Sequence, residues 1–112
     1  MLFKKNRVTK KKDFEKIFKK GVSFREQLLI LKVIPGLSSK SRFAFIASQK
    51  VSKNATVRNR VRRQLRELMR PLADKVKGGV DGVFIALPGL EDKDFQEVKN
   101  IVYNLLEKAK LI

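Results

Sequence analysis

The sequence predicts an α+β domain in which helices pack on a small sheet, in the element order α-β-β-α-β-α. Three observations predict it. Residues 55–72 and 94–110 repeat apolar side chains at helical spacing. Three short apolar runs, 27–34, 42–48 and 83–87, are too short for such helices and compatible with strands. The chain has 112 residues, 43% of them hydrophobic and spread along its length, which suits one modest core and a single domain over 1–112.

The elements follow in order. In "KKKDFEKIFKKG", residues 10–21, Phe14, Ile17 and Phe18 form a short apolar stripe on a lysine-coated helix. Thr9 is its expected N-cap, and Gly21 its expected left-handed terminus. "QLLILKVI", residues 27–34, is apolar on both faces except at Lys32, as a strand covered on both sides would be. "PGLSSKS" is a turn or loop, and "RFAFIAS" a second strand with Phe43, Phe45 and Ala47 on one face. A short polar loop between them makes an antiparallel hairpin the simplest expectation.

A helix from about Ala55 to Leu72 carries Val61, Leu65, Leu68, Met69 and Leu72 on one side. Residues 73–82, with three glycines, break it, and "VFIAL" is a third strand. The last helix, roughly Asp94 to Lys110, opens with an Asp94…Glu97 capping-box pattern and packs Phe95, Val98, Val102, Leu105 and Ala109. There is no internal repeat and no low-complexity tract.

Charge narrows the function. Lys and Arg total 27 against 11 acids, a formal +16. Residues 1–70 hold 21 basic and 4 acidic residues, whereas 71–112 hold 6 and 7. A polyanion is therefore the expected partner, bound through the first two thirds of the chain. Cysteine and histidine are both absent, which removes disulfides, thiolate metal sites and the commonest general base. The acids are scattered or cap helices, and Gly78-Gly79 with Gly82 lacks the residues of a phosphate loop. The chain alone is not expected to be catalytic. No apolar run approaches the ~20 residues of a membrane span. "MLFKKNRVTKKK" has no secretory pattern, so a cytosolic domain is the default expectation.

"ATVRNRVRRQLRE", residues 55–67, places Arg58, Arg60, Arg62, Arg63 and Arg66 within nine positions. At about 100° per residue, Asn59, Arg62, Arg63, Arg66 and Arg70 share an arc beside the apolar stripe. Arg60 points further round, and Arg58 borders the core. Basic helix faces are commonly just solvated. Here Arg62, Arg66 and Arg70 repel one another at i, i+4, by a few tenths of a kcal/mol per pair, so the face calls for an anionic partner. Lys50 and Lys53 extend the strip, and Asn54 would cap a helix N-terminus that itself attracts phosphate. Phe14 and Phe18 are open to two readings: core residues, or a platform for unpaired bases.

Ser52 to Arg66, "SKNATVRNRVRRQLR", resembles the signature of the protein subunit of bacterial ribonuclease P: an alanine, then Arg-Asn-basic, an aliphatic, two basics, an aliphatic and a final basic. "RVTKKKDFEKIFKKG", "RFAFIASQKVSKNA" and "VFIALPGLEDKDFQEVKNIVYNLLEKAK" resemble the flanking elements, so nearly the whole chain is covered. The resemblance implies a protein that helps a catalytic RNA remove the 5′ leader of precursor tRNA in the cytoplasm. The RNA, with Mg²⁺, performs the hydrolysis, and one protein serves each RNA. The resemblance further implies a short strand near Val22 to Phe24, hence α-β-β-β-α-β-α with a four-stranded, mainly antiparallel sheet. A left-handed β-α-β crossover, shared with a ribosomal-protein domain, is part of that expectation.

By the same resemblance Lys50, Lys53, Arg58, Asn59, Arg60, Arg62, Arg63 and Arg66 face the catalytic RNA. Lys12, Phe14, Phe18 and Ser48 belong to a groove for the single-stranded leader, and no metal site falls on the protein. The chain departs from the pattern at Leu29 and Leu31, which stand where relatives carry groove-facing aromatics. Gln49 replaces a lysine, and Ala44 and Ile46 replace smaller residues. The competing class is a ribosomal or general RNA-binding module without a processing role; a DNA-binding domain lacks its helix-turn-helix pair.

Overall fold

The computed structural model describes residues 7–36 and 40–112. Their helices and strands run α1 (Lys11–Lys20), β1 (Val22–Glu26), β2 (Leu29–Pro35), β3 (Arg42–Ile46), α2 (Ala55–Met69), β4 (Val80–Ala86) and α3 (Phe95–Lys108). The α-β-β-β-α-β-α order is thus the expected one, including the short strand after α1.

The sheet order is β1-β2-β4-β3. β1 pairs antiparallel with β2, β2 antiparallel with β4, and β4 parallel with β3. The expected β2–β3 hairpin does not form, because β4 lies between those strands. The described residues at either end of the segment after β2 bond instead to the chain entering β4. Gly36 N–H donates to Gly79 O at 2.8 Å, and the Ser41 hydroxyl donates to Gly78 O at 3.0 Å while accepting from Val80 N. Gly82 suits β4 to the central place, since a Cβ there would lie 3.2 Å from Leu31 and from the Phe43 ring. The hairpin that does form joins β1 to β2 through Gln27, at φ 51°.

Alternation on the strands gives the sheet two different faces. Leu29, Leu31, Val33, Phe43, Phe45, Phe84 and Ala86 point to α2 and α3 and form the main core with Val61, Leu65, Met69, Val98, Val102 and Leu105. Phe84 is its centre, with Phe43 and Phe45 at ring distances of 5.8 and 5.7 Å. The opposite face carries α1 over a smaller cluster of Val8, Ile17, Ile34, Ala44 and Val83.

Helix ends follow local chemistry. Asn54 Oδ1 accepts from Thr56 N at 2.9 Å, capping α2, and Asp94 and Glu97 form the predicted capping box of α3. α2 stops at Met69 rather than Leu72, because Pro71 has no N–H to donate to the Glu67 carbonyl. α1 departs from expectation at both ends. Lys10, without a side-chain cap bond, occupies the N-cap instead of Thr9. Gly21 is extended (φ −69°, ψ 148°), not left-handed; a Cβ there would meet Ile17 O at 2.4 Å, so close passage of backbone requires the glycine.

Candidate nucleic-acid interface

α2 lies beside β3, the edge strand, with Val61, Leu65, Leu68 and Met69 buried. The guanidinium of Arg62 donates to Ala47 O at 3.1 Å, just past the end of β3, and to Asn59 Oδ1. That pair locks two members of the predicted rail to each other and to the sheet. Arg58 donates to Ser52 O at 2.9 Å, consistent with its place at the apolar border. Arg60 reaches across to Glu91 O at 3.0 Å, in the turn after β4. Among the described residues the side chains of Arg63 and Arg66 form no hydrogen bond or ion pair. Lys50 and Lys53 are exposed in the turn leading into the capped helix. The Ser48 hydroxyl accepts from Lys50 N at 3.2 Å in that turn.

The face under α1 is only partly covered. Ile17 is fully buried, Phe18 is 40% exposed, and Phe14 is half-buried, packed like Ile46 and Ile85 against the cluster of Val8, Ile17, Ile34, Ala44 and Val83. Strand register aligns Arg25, Ile30, Ile85 and Ile46 in one row across the sheet, and the three isoleucines are half-buried. Lys32, in the next row, places Nζ 5.8 Å from the Phe18 ring centroid and donates to Phe18 O at 3.3 Å. An aromatic wall and an aliphatic floor with a lysine at its margin thus form a groove. Ser48, two residues beyond Ile46 on the same alternation, is exposed at its end. Lys12 is not brought into it, being exposed on α1 roughly 200° round from Phe14.

The floor corrects one expectation. Leu29 and Leu31 are fully buried in the main core, on the opposite face from α1. Ile30 and Lys32 lie on the groove side instead, the face they share with Ile46 and the buried Ala44. The sequence held one usable signal for this parity: Lys32, the single charged residue of its run, marks the open face.

A partly buried ion network ties α1 to the sheet. Arg42 on β3 grips Asp81 on β4 through two bonds, Nε to Oδ1 at 2.9 Å and Nη2 to Oδ2 at 2.6 Å. Its Nη1 lies 3.3 Å from Asp13 Oδ2 on α1. The hydrogen bonds to Asp81 raise the already high guanidinium pKa of Arg42. These two carboxylates are therefore committed to a cation of the chain's own. Among the described residues no three His, Cys, Asp or Glu side chains gather as a metal site would require.

A basic rail on α2 and an aromatic groove under α1 thus meet at β3. The family described as Ribonuclease P matches residues 2–110. The chain belongs to the Ribonuclease P family. It is 37% identical over 107 residues to the ribonuclease P protein component of Clostridium botulinum, covering 95% of this chain and 96% of that one. It is 34% identical over 113 residues to that of Pseudanabaena, covering 100% and 97%. Among solved structures, the ribonuclease P protein of Staphylococcus aureus superposes with a TM-score of 0.86 at 25% identity, over 95% of this chain and 96% of that one. That of Thermotoga maritima gives 0.81 at 28% identity, over 91% and 96%. Ribonuclease P protein components work with the ribonuclease P RNA, and the chain is a protein subunit of that ribonucleoprotein endonuclease, assisting the RNA in tRNA 5′ processing.

Proposed function

We propose that the two surfaces divide the work. The α2 rail docks on the catalytic RNA through Arg58, Asn59, Arg60, Arg62, Arg63 and Arg66, joined by Lys50 and Lys53. The groove of Phe14, Phe18, Ile30, Ile46 and Ile85 takes the unpaired 5′ leader of precursor tRNA, with Ser48 at its end and Lys32 at its margin. One observation carries this reading: Phe18 is 40% exposed and Phe14 half-buried on a helix whose Ile17 is fully buried. Core aromatics would not be left so open above a half-covered isoleucine row, whereas unpaired bases stack on such a platform.

Arginine suits the rail because its fork pairs bidentately with phosphate and stays charged at any physiological pH. The Arg62–Asn59 pair pre-sets one fork, so less side-chain freedom is lost on docking. Mg²⁺ acts on the RNA, with no ligand set among the described residues, and one protein serves each RNA in the cytoplasm. Among the described residues no helix is long and apolar enough to cross a membrane.

The test is addition of the chain to a cognate ribonuclease P RNA at low Mg²⁺. Cleavage of precursor tRNA should rise above that of the RNA alone, and no gain would defeat the proposal. Arg62→Gln with Arg66→Gln should lower the salt dependence of RNA binding by about one slope unit per lost phosphate contact.

A further inference from the structure

We propose that a cleft where α1, β3 and α2 meet seats one phosphodiester of the leader strand, held by Arg7 and Arg66. The proposal rests on the reading of the groove given above and narrows it to a single site. The cleft has a volume of about 240 Å³, and Arg7, Thr9, Phe14 and Arg66 line it together with the Phe43–Phe45 stretch of β3. Two arginines and a threonine are among its lining residues, and no Asp or Glu is among those described. Like charges gathered around one space without an acid favour an anion inside it.

Arg7 adds a second, independent observation. Its Nε is buried and has no hydrogen-bond partner among the described residues. Buried polar atoms are nearly always paired, so an unpaired guanidinium nitrogen lining a cleft points to a ligand acceptor. Arg7 is also held in place: it bridges to Phe43 at the outer edge of β3, and the next residue, Val8, is buried and donates its N–H to Phe43 O at 3.0 Å. A donor anchored this way needs little ordering to bind.

Phe14 decides which strand supplies the phosphate. It is part of the groove wall and part of the cleft lining at once. A base stacked on Phe14 belongs to a strand whose backbone passes the cleft, so the phosphodiester is assigned to the leader rather than to the catalytic RNA. Arg66 then belongs to both surfaces, at the point where rail and groove join.

The experiment uses the complete ribonucleoprotein and precursor tRNAs carrying a neutral methylphosphonate at one leader position at a time. One position should weaken precursor binding by about tenfold or more, the scale of a charge-assisted hydrogen bond. Arg7→Gln should cause a similar loss for the unmodified precursor, and the two losses should not multiply when combined. Arg7→Lys, which keeps the charge, should restore part of the affinity, and unchanged melting of both variants separates binding from folding. If Arg7→Gln weakens mature tRNA or the RNA alone as much as precursor, the phosphate belongs to another strand and the assignment is overturned. If Arg7→Gln has no effect while Phe18→Ala abolishes leader discrimination, the cleft assignment fails and the groove stands. If Phe18→Ala also leaves leader discrimination intact, the groove itself is wrong.

Discussion

The two faces of the sheet are built from the same strands and used differently. On one, Phe43, Phe45, Phe84, Leu29 and Leu31 disappear beneath two helices. On the other, the single short helix α1 covers Ile34, Ala44 and Val83 and leaves the row of Ile30, Ile85 and Ile46 half open. The first face has enough apolar contact to hold the fold, so the second can leave aromatic surface unburied without losing the structure. The open apolar surface here is what the smaller helix leaves uncovered.

The largest expected effect tests the covered face. Phe84→Ala removes a fully buried ring flanked by two others, and should cost about 3–5 kcal/mol of unfolding free energy in denaturant titration. A loss below about 1 kcal/mol would mean that the main core does not sit where the two faces differ.

Next comes the link between the faces. Asp81→Asn breaks the bidentate grip of Arg42, and should cost about 2–3 kcal/mol. This is less than a wholly buried pair would lose, because the Arg42 side chain is 27% exposed against 7% for Asp81. Since Arg42 also meets Asp13, hydrogen exchange should quicken in α1 more than in α3. Equal quickening in both helices would mean that the network serves the whole fold rather than the seat of α1.

These two regions were unequally legible in the sequence. The helices and the core face of α2 followed from spacing, and the capping box of α3 from two residues. The strand neighbours did not, because pairing of β3 with β4 depends on a crossover that no local pattern encodes. Parity on β2 was nearly hidden for a related reason: both of its faces are apolar apart from Lys32, the one mark that Ile30 rather than Leu29 shares the open face. The Arg42–Asp81–Asp13 network was out of reach, since its members come from three elements. In contrast, the arginine rail could be drawn from about 100° per residue alone, because it lies within one helix.

A third change addresses the open face. Phe18→Ala should leave stability within about 1 kcal/mol, because the ring is 40% exposed. It should weaken binding of leader-bearing precursor relative to mature tRNA by about 1–3 kcal/mol. A drop in melting temperature with leader discrimination intact would move Phe18 back to the core and erase the contrast between the faces.

The smallest effect is the most specific. Lys32 is the one charged residue in its strand run, and its Nζ both approaches the Phe18 ring and bonds the Phe18 carbonyl. The ammonium therefore does two things at once: it orients the ring from the sheet side, and it puts a positive charge at the groove margin. Lys32→Met keeps an unbranched apolar stem of similar reach while removing the charge. Loss of the cation–π contact should cost about 0.5–1 kcal/mol in leader affinity, and the fold should be unchanged. The double variant with Phe18→Ala should lose little more than Phe18→Ala alone if Lys32 acts through the ring. Additive losses would instead show that Lys32 meets the leader phosphates directly, and affinity would then respond more weakly to salt in the single variant.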